Sequence, residues 1–253
     1  MSWQDNLVVG IQKKPPRTCV YGAHGIGKSS LGAGFPDPIF ISTESGLDAL
    51  DVRSFPRAET LDDVKGNIMT LLKEEHEFKT VVLDTADWLV EPLITAKVDS
   101  EYDAKEQSYG KGQMYVAEEF RGILQGFDRL RDKRGMNVVL IAHAQIQRYE
   151  NPLTEPYDVF RPKLPARCNA LLQEWADVLA FAAFQVIVKK ADAGFNREVR
   201  RGVSTGDRSL HLVERAGYVA KCRYPGAPDE VPMSKDAKAT VQALAKHIPI
   251  IGL

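Results

Sequence analysis

The residues best suited to chemistry form a glycine-rich run near the start of the chain, GAHGIGKSS at residues 22–30. The run fits the pattern G-x-x-x-x-G-K-[ST], in which glycines allow positive φ angles and let backbone N–H groups surround a phosphate. We expect Lys28 to reach the β- and γ-phosphate oxygens and the Ser29 hydroxyl to hold Mg²⁺. The predicted nucleotide-binding residues are Gly22, His24, Gly25, Ile26, Gly27, Lys28, Ser29 and Ser30.

Two carboxylates are candidates for metal binding and catalysis because each closes a predicted buried strand. The run TVVLD ends in Asp84, which is how a parallel strand presents an acid at its carboxyl end, and we predict that Asp84 lies beside the Mg²⁺. A helix N-cap is the alternative role for Asp84. Thr85 stands where many phosphate-loop ATPases carry a glutamate, so Glu44, after the neighbouring strand, is the candidate catalytic base. A solvent-exposed or helix-capping acid is the alternative for Glu44.

A further apolar strand, residues 137–142, ends in His143, Ala144 and Gln145. Gln145 is placed to hydrogen-bond the γ-phosphate and to report its loss to the segment that follows. A single histidine at a strand end is more often structural than catalytic, so for His143 we leave a nucleotide-sensing role and a structural role open.

The elements that position these residues follow from the hydrophobic pattern. Strands are predicted at residues 18–21, 39–43, 80–84 and 137–142, and helical spacing follows Thr60, which forms a capping pair with Asp63. A second amphipathic helix buries Met114, Ala117, Phe120, Ile123, Leu124, Phe127 and Leu130. Residues 99–113, 147–168 and 189–208 are expected to be irregular. Residues 209–215 and 218–224 are predicted to pair as a hairpin, and Ser234 to cap a last helix.

Length and composition favour one large α/β domain at residues 17–253, preceded by a surface arm at residues 1–16. The net charge of −1 excludes the overall basic charge of an obligate nucleic-acid coat, so any DNA contact must be local. Three widely spaced cysteines indicate neither a disulfide framework nor a metal knuckle, and no stretch is apolar enough for a membrane span. We therefore expect a cytoplasmic protein.

These features in this order resemble RecA-like ATPases, and most closely the Sak type of phage single-strand annealing protein. The resemblance covers about residues 17–230 and implies a mostly parallel sheet flanked by helices, with a C-terminal antiparallel hairpin, ATP and Mg²⁺. FISTESGLDAL resembles the strand that carries the family's catalytic glutamate, which maps to Glu44, and the Ala-Gln pair resembles its Asn-Gln γ-phosphate sensor at Gln145. AKCRYPG resembles a KNRFG motif that acts on the neighbouring subunit's ATP, through Lys221 and Arg223 here, although Cys222 and Pro225 depart from it.

In the same family the segment after the sensor strand binds DNA, which points to residues 147–168. That segment interleaves cations with aromatic rings, as suits single strands whose bases stack while cations follow the phosphates. The candidate DNA-binding residues are Arg148, Tyr149, Tyr157, Phe160, Arg161, Lys163 and Arg167. Acids in the segment weaken this prediction, and a loop without a ligand is the alternative.

The leading hypothesis is a phage ATPase that assembles on single-stranded DNA as a ring or filament with ATP between subunits. It would promote annealing or strand exchange, and a single-strand-binding protein is a candidate partner. One alternative is a monomeric phosphate-loop kinase of a small molecule or nucleotide, with a lid supplied by Arg197, Arg200 and Arg201. Another is an ATP switch or helicase-loading partner that does not hydrolyse.

Overall fold

The computed structural model describes residues 7, 10, 13–192 and 198–253, and the side chains of these residues except 187–192 and 198–204. The α-helices are α1 (Lys28–Ala33), α2 (Leu61–Lys73), α3 (Ala86–Trp88), α4 (Thr95–Glu101), α5 (Lys111–Arg134), α6 (Ala166–Trp175) and α7 (Ala237–Ala245). A π-helical stretch, Leu89–Ile94, joins α3 to α4, and a 3₁₀ turn, Ser108–Gly110, precedes α5. The strands are β1 (Arg17–Gly22), β2 (Pro38–Ser42), β3 (Arg53–Ser54), β4 (Thr80–Asp84), β5 (Asn137–Tyr149), β6 (Tyr157–Pro162), β7 (Val178–Asp192), β8 (Glu198–His211), β9 (Lys221–Cys222) and β10 (Glu230–Pro232).

A mostly parallel sheet forms the centre of the fold, with the strand order β10-β8-β7-β1-β5-β4-β2-β3. Six neighbouring strands run parallel to one another: β7, β1, β5, β4, β2 and β3. At one side of the sheet β8 pairs in antiparallel register with β7, and β10 pairs in antiparallel register with β8. Within the paired strands Gly22 lies beside His143, and Ser42 lies beside Asp84. The predicted α/β architecture with helices around a mostly parallel sheet and an antiparallel C-terminal part is confirmed.

Side chains alternate between the two faces of the sheet and build a hydrophobic core on each side. Cys19 and Tyr21 of β1 belong to the cluster that includes α2 and α5, whereas Val20 belongs to the cluster that includes α1 and α7. Phe120 of α5 is fully buried, so Phe120→Ala should cost about 3–5 kcal/mol of unfolding free energy. The two cores hold the strand ends, and the loops that follow them, in fixed register.

The amphipathic helices agree with the sequence pattern in most respects. Thr60 and Asp63 form the predicted capping box at the start of α2. The predicted buried face of α5 is confirmed except for Met114, which is 49% exposed in the groove between α5 and α6. Ser234 does not cap the last helix, because the Asp236 side chain accepts the hydrogen bond from the Lys238 backbone N–H. Residues 99–113 contain the end of α4, the 3₁₀ turn and the start of α5.

The prediction that residues 147–168 are irregular is wrong. Strand β5 continues to Tyr149 and pairs with β6 in antiparallel register from Ala144↔Pro162 to Tyr149↔Tyr157. The four prolines of the segment lie in the connection, just before β6, at its last residue and at the start of α6, and these are positions where a missing N–H breaks no ladder bond. We call residues 145–162 the β5–β6 hairpin.

The second predicted irregular segment, residues 189–208, also belongs largely to strands. β7 and β8 pair in antiparallel register from Phe181↔His211 to Asp192↔Glu198, with a register shift between Phe184 and Val186. The predicted pairing of residues 209–215 with 218–224 is reduced to a single bridge between Arg215 and Tyr218, because β9 pairs with β7 instead. The C-terminal antiparallel hairpin is therefore β7–β8.

Two other expectations depend on parts of the chain that are not fully described. Most of the predicted N-terminal arm, residues 1–16, lies outside the described residues. The proposed lid falls there too, since Arg197 and the side chains of Arg200 and Arg201 are not described. Among the described residues, no helix combines the length and apolar character needed to cross a membrane.

Candidate nucleotide-binding and catalytic site

The glycine-rich run forms a loop between the end of β1 and the start of α1. Gly25 and Gly27 take φ angles of +73° and +100°, in the region that favours glycine. A Cβ at Gly22 would lie 2.4 Å from the carbonyl oxygen of Ala182 on β7, so the loop also needs glycine for its close packing on the sheet. The loop therefore has the backbone shape that its sequence predicts for phosphate binding.

The Lys28 side chain is buried and folds back across this loop. Its Nζ donates hydrogen bonds to the carbonyl oxygens of Gly22, at 3.1 Å, and Ala23, at 2.9 Å. Burial lowers the pKa of Lys28, while the carboxylates of Asp84, Asp87 and Glu44 act in the opposite direction. The ammonium group is thus surrounded by carbonyl and carboxylate oxygens, and it is placed to exchange the carbonyl oxygens for those of a bound phosphate.

A cleft of ≈ 330 Å³ lies beside the loop, at the carboxyl edge of the parallel strands. The residues that line it are His24, Gly25, Gly27, Lys28, Ser29, Ser30, Glu44, Gly46, Ala49, Leu50, Asp84, Thr85 and His143. The structure therefore brings six of the eight predicted loop residues, all except Gly22 and Ile26, together with Glu44 and Asp84 from two other parts of the chain. Crevices of this kind, outside the carboxyl ends of strands, are where open α/β sheets bind ligands.

Asp84 and Ser29 offer the oxygen ligands that Mg²⁺ needs. Asp84 is 3% exposed, and its Oδ1 atom has no hydrogen-bond partner. Burial raises the pKa of Asp84, whereas a hydrogen bond with Ser29 and the charge of Lys28 lower it, and the net direction is upward. A buried carboxylate oxygen without a partner, beside a hydroxyl, fits a cation held by one carboxylate, one hydroxyl and nucleotide phosphates. Within the described part of the chain, no group of three or more His, Cys, Asp and Glu residues could hold a metal without such phosphates.

Glu44 borders the cleft on the segment that follows β2. The Ser42 hydroxyl donates a hydrogen bond to the Glu44 carbonyl oxygen at 2.6 Å and so fixes the turn that carries the side chain. Burial raises the pKa of Glu44, and the nearby charges of Asp84 and Asp87 act in the same direction, against His143 and Lys28. A half-buried carboxylate of raised basicity, across the cleft from the loop, is suited to accept a proton from an attacking water.

The strand-end residue that faces the cleft is His143 and not Gln145. The Gln145 amide donates to the carbonyl oxygens of Pro162, at 3.2 Å, and Leu164, at 3.3 Å, so it is engaged at the β5–β6 hairpin. His143 and Gln145 share one face of β5, because they are two residues apart, but it is His143 that lies beside Gly22 at the start of the loop and borders the cleft. Gln145, the predicted γ-phosphate sensor, does not line the cleft, whereas His143 does.

His143 is positioned by Asp87, a residue that the sequence analysis did not single out. Asp87 accepts the His143 backbone N–H at 2.9 Å and approaches the ring Nδ1 atom at 2.8 Å. Burial by itself would raise the pKa of Asp87, but these contacts with His143 hold it below its ordinary value. An acid three residues after Asp84, with a histidine at the next strand end, is the sequence signal that could have revealed the pair.

The ring of His143 also stacks on His24 of the loop, with centroids 3.8 Å apart. The charge of His143 is the largest influence on His24 and lowers its pKa, and burial and Lys28 act in the same direction. These influences favour the neutral form of His24. A phosphate placed between the loop and His143 would favour the charged form instead.

Lys221 and Arg223 lie far from this cleft in the chain's own fold. β9 pairs with the first residues of β7, at the sheet edge opposite the phosphate loop. Lys221 donates to the carbonyl oxygen of Gln173, and Arg223 donates to that of Glu174, at 2.6 Å, and to Asp177, at 3.2 Å. These contacts neutralise the carboxyl end of α6, so a role at ATP is open to Lys221 and Arg223 only at a neighbouring subunit.

The candidate DNA-binding residues are divided between the two faces of the β5–β6 hairpin and its surroundings. On one face Tyr149 meets Tyr157 edge-on at 5.5 Å, and Arg161 lies over the Tyr149 ring at 5.4 Å. On the other face Phe160 is 39% exposed and stacks on Phe181 of β7. The remaining three are Arg148, which lies 4.0 Å from Asp158, Lys163, which lies 3.6 Å from Glu91, and Arg167 on α6.

The sequence analysis did not single out Ile146, an exposed apolar residue on a strand of the hairpin. Ile146 is 63% exposed and lies directly opposite Phe160 in the strand register. An isoleucine in a segment expected to be irregular does not indicate a binding surface. In the observed strand, Ile146 and Phe160 lie side by side and form one apolar surface.

Comparisons with known proteins found a family match and similar solved structures. A family model described as an AAA domain matches residues 14–224. A solved structure of the RadB recombinase is similar with a TM-score of 0.49 and 15% identity, over 88% of this chain and 90% of that one. A search of curated proteins found no match. Because the family match spans most of the chain, including the phosphate loop and the strands that carry Glu44 and Asp84, the chain belongs to the AAA domain family and is a nucleotide-binding phosphate-loop ATPase.

Proposed function

We propose that this protein binds and hydrolyses ATP with Mg²⁺, assembles on single-stranded DNA, and promotes annealing or strand exchange in phage DNA recombination. The observation that carries the catalytic part is the convergence of Lys28, Ser29, Asp84 and Glu44 on one cleft, with a buried Asp84 oxygen left for a cation. Lys28 binds the β- and γ-phosphates, Ser29 and Asp84 hold the metal, and Glu44 activates water. Mg²⁺ supplies charge neutralisation at the phosphates.

His143 has a defined part in this mechanism. Its ring borders the cleft beside the phosphate loop, and Asp87 fixes its orientation from behind. It is therefore placed to contact the terminal phosphate and to respond when that phosphate leaves. Because His143 begins the part of β5 that extends into the β5–β6 hairpin, this response would reach the surface proposed for DNA.

The proposal for DNA is supported by the exposed surface of the β5–β6 hairpin. Phe160 and Ile146 present an apolar patch on which bases can stack, and Arg148 supplies a cation on the same face of the hairpin. Only this local surface is required, in agreement with a net charge of −1. The resemblance to Sak-type proteins adds the annealing role.

Assembly with ATP between subunits is supported by Lys221 and Arg223. In their own subunit they lie at the sheet edge opposite the phosphate loop, which is the arrangement expected if one subunit's motif meets the next subunit's cleft. ATP would then act as an assembly switch, because the γ-phosphate attracts both cations and its hydrolysis releases them.

The experiment that tests this function measures ATP turnover with and without single-stranded DNA, and follows particle size in the same samples. Lys28→Ala is the inactive reference. Turnover that DNA stimulates, together with ATP-dependent assembly, is the expected result. A monomer whose turnover ignores DNA would refute the recombination function and favour the small-molecule kinase. ATP binding without turnover, together with an activity that Glu44→Gln leaves unchanged, would favour the non-hydrolysing switch.

A further inference from the structure

Arg208 of β8 contacts the phosphate loop although its sequence position, 182 residues away from Ile26, gives no hint of this. Its Nη1 donates to the carbonyl oxygen of Ile26 at 2.9 Å. Its Nη2 lies 3.3 Å from the carbonyl oxygen of Ser234, on the segment that leads to α7. One guanidinium group thus ties the loop to the antiparallel side of the sheet.

The contact fixes the direction of one peptide group. The peptide between Ile26 and Gly27 is planar, and in a trans peptide the C=O and the N–H point to opposite sides. Holding the Ile26 oxygen on Arg208 therefore turns the Gly27 N–H away from Arg208. Gly27 lines the nucleotide cleft together with Lys28, whereas Arg208 does not line it.

The guanidinium group also uses space that only glycine leaves free. A Cβ at Gly27 would lie 2.6 Å from the Arg208 Nη1 atom. Gly27 is thus required by this close approach as well as by its φ of +100°. Both requirements fall on Gly27, the residue whose N–H the contact turns away from Arg208.

We propose that Arg208 is a positioning residue for nucleotide binding, which holds the Ile26 carbonyl outward so that the Gly27 N–H points at the phosphates. This inference rests on the proposed function, since it concerns the same cleft. Arg208 does not touch the nucleotide in this proposal. It removes the alternative peptide orientation, in which a carbonyl oxygen would face the phosphate and repel it.

The test compares the affinity for Mg²⁺–ADP of the wild type with that of Arg208→Gln and Arg208→Lys, by titration calorimetry at a temperature where each protein is folded. We expect about a tenfold weaker affinity for Arg208→Gln, the loss expected when a charge-assisted hydrogen bond is removed. Arg208→Lys keeps one charged donor and should restore part of the affinity. KM for ATP should rise with little change in kcat, because the phosphates are held equally in the ground state and transition state.

Arg215→Gln is the matched control, because Arg215 pairs with Asp229 on the surface and the variant also loses one positive charge. If Arg208→Gln does not fold, Arg208→Met is used in its place, because it keeps the aliphatic stem of the side chain. The same loss of affinity is expected for Arg208→Met. Unchanged affinity of the folded Arg208 variants, with tight binding by the wild type, would overturn this inference alone. A wild type that binds no nucleotide would overturn the proposed function and this inference together.

Discussion

Asp87 holds His143 by two contacts, one to the backbone N–H at 2.9 Å and one to the ring Nδ1 at 2.8 Å. Both side chains are buried, at 2% and 7% exposure. Asp87 lies on α3, which follows β4, and His143 lies on β5, the strand next to β4 in the sheet. The ring therefore has a single orientation beside the phosphate loop. We propose no role for Asp87 other than holding His143, so the two residues can be tested together by single and double variants.

Replacing either member of this pair should lower ATP turnover. We expect His143→Ala and Asp87→Ala each to reduce kcat by about 10²-fold, the range found when a group that stabilises transition-state charge is lost. The double variant should be little worse than either single variant, because Asp87 acts through His143. His247→Ala, at an exposed histidine, is the control. Losses that multiply in the double variant would contradict the dependence of Asp87 on His143.

Glu44→Gln should separate ATP binding from hydrolysis. The amide keeps the size of the side chain but cannot accept a proton, so kcat should fall by about 10²- to 10⁴-fold while the dissociation constant for ATP changes little. Glu118→Gln, at an exposed position on α5, is the control. A Glu44→Gln protein with normal turnover would show that the base lies elsewhere.

The pH dependence of turnover gives an independent test of Glu44. Burial and nearby acids raise the pKa of this carboxyl group, and a general base must be ionised to act. Turnover should therefore fall on acidification at a pH above the ordinary glutamate range, and this acid limb should disappear from the residual activity of Glu44→Gln. If the acidic fall in turnover persisted in Glu44→Gln, it would have to come from another titrating group.

Subunit mixing tests the role of Arg223 at a neighbouring cleft. Lys28→Ala removes nucleotide binding, and Arg223→Ala removes the cation offered to the next subunit, so each variant alone should be inactive. A mixture forms some interfaces with an intact phosphate loop on one side and an intact Arg223 on the other, and these should restore part of the turnover. A mixture as inactive as its components would refute action between subunits.

Asp177 should be important for stability because it pairs with three arginines. It accepts hydrogen bonds from Arg17 and Arg223 and lies 3.6 Å from Arg131. Asp177→Ala leaves these cations without their buried partner and should cost about 3–5 kcal/mol of unfolding free energy in urea denaturation. A loss below about 1 kcal/mol would show that the arginines find other partners.

The direction of the Asp177 pKa shift determines how the contribution of Asp177 to stability depends on pH. Burial would raise the pKa of Asp177, but hydrogen bonds and charge from Arg17 outweigh it and hold the pKa below its ordinary value. The contribution is therefore complete above the ordinary carboxyl range and is lost as pH falls through the lower, folded value. The stability difference between wild type and Asp177→Ala should shrink on acidification.

The sequence by itself determined the phosphate loop, the buried strands and the two acids at their ends. The positions of these segments in the fold are predicted correctly because each depends on local chemistry. Gly27 is needed for a positive φ, and TVVLD has the pattern of a buried strand that ends in Asp84 at the sheet edge. Parallel strands then bring their carboxyl ends together without further information. Glu44 lines the cleft for the same reason, since it follows the neighbouring parallel strand β2.

Only the tertiary structure decided which partners meet across the chain. Arg208 reaches Ile26 because β8 folds back beside the loop, and Asp87 meets His143 because β4 and β5 are neighbours. No spacing in the sequence encodes such contacts, because they depend on strand order and register. The contacts of Gln145 depend on packing in the same way, since β5 continues into a hairpin in which the Gln145 amide donates to the Pro162 carbonyl oxygen. Local pattern thus fixes what each segment becomes, while long-range packing fixes which side chains share a site.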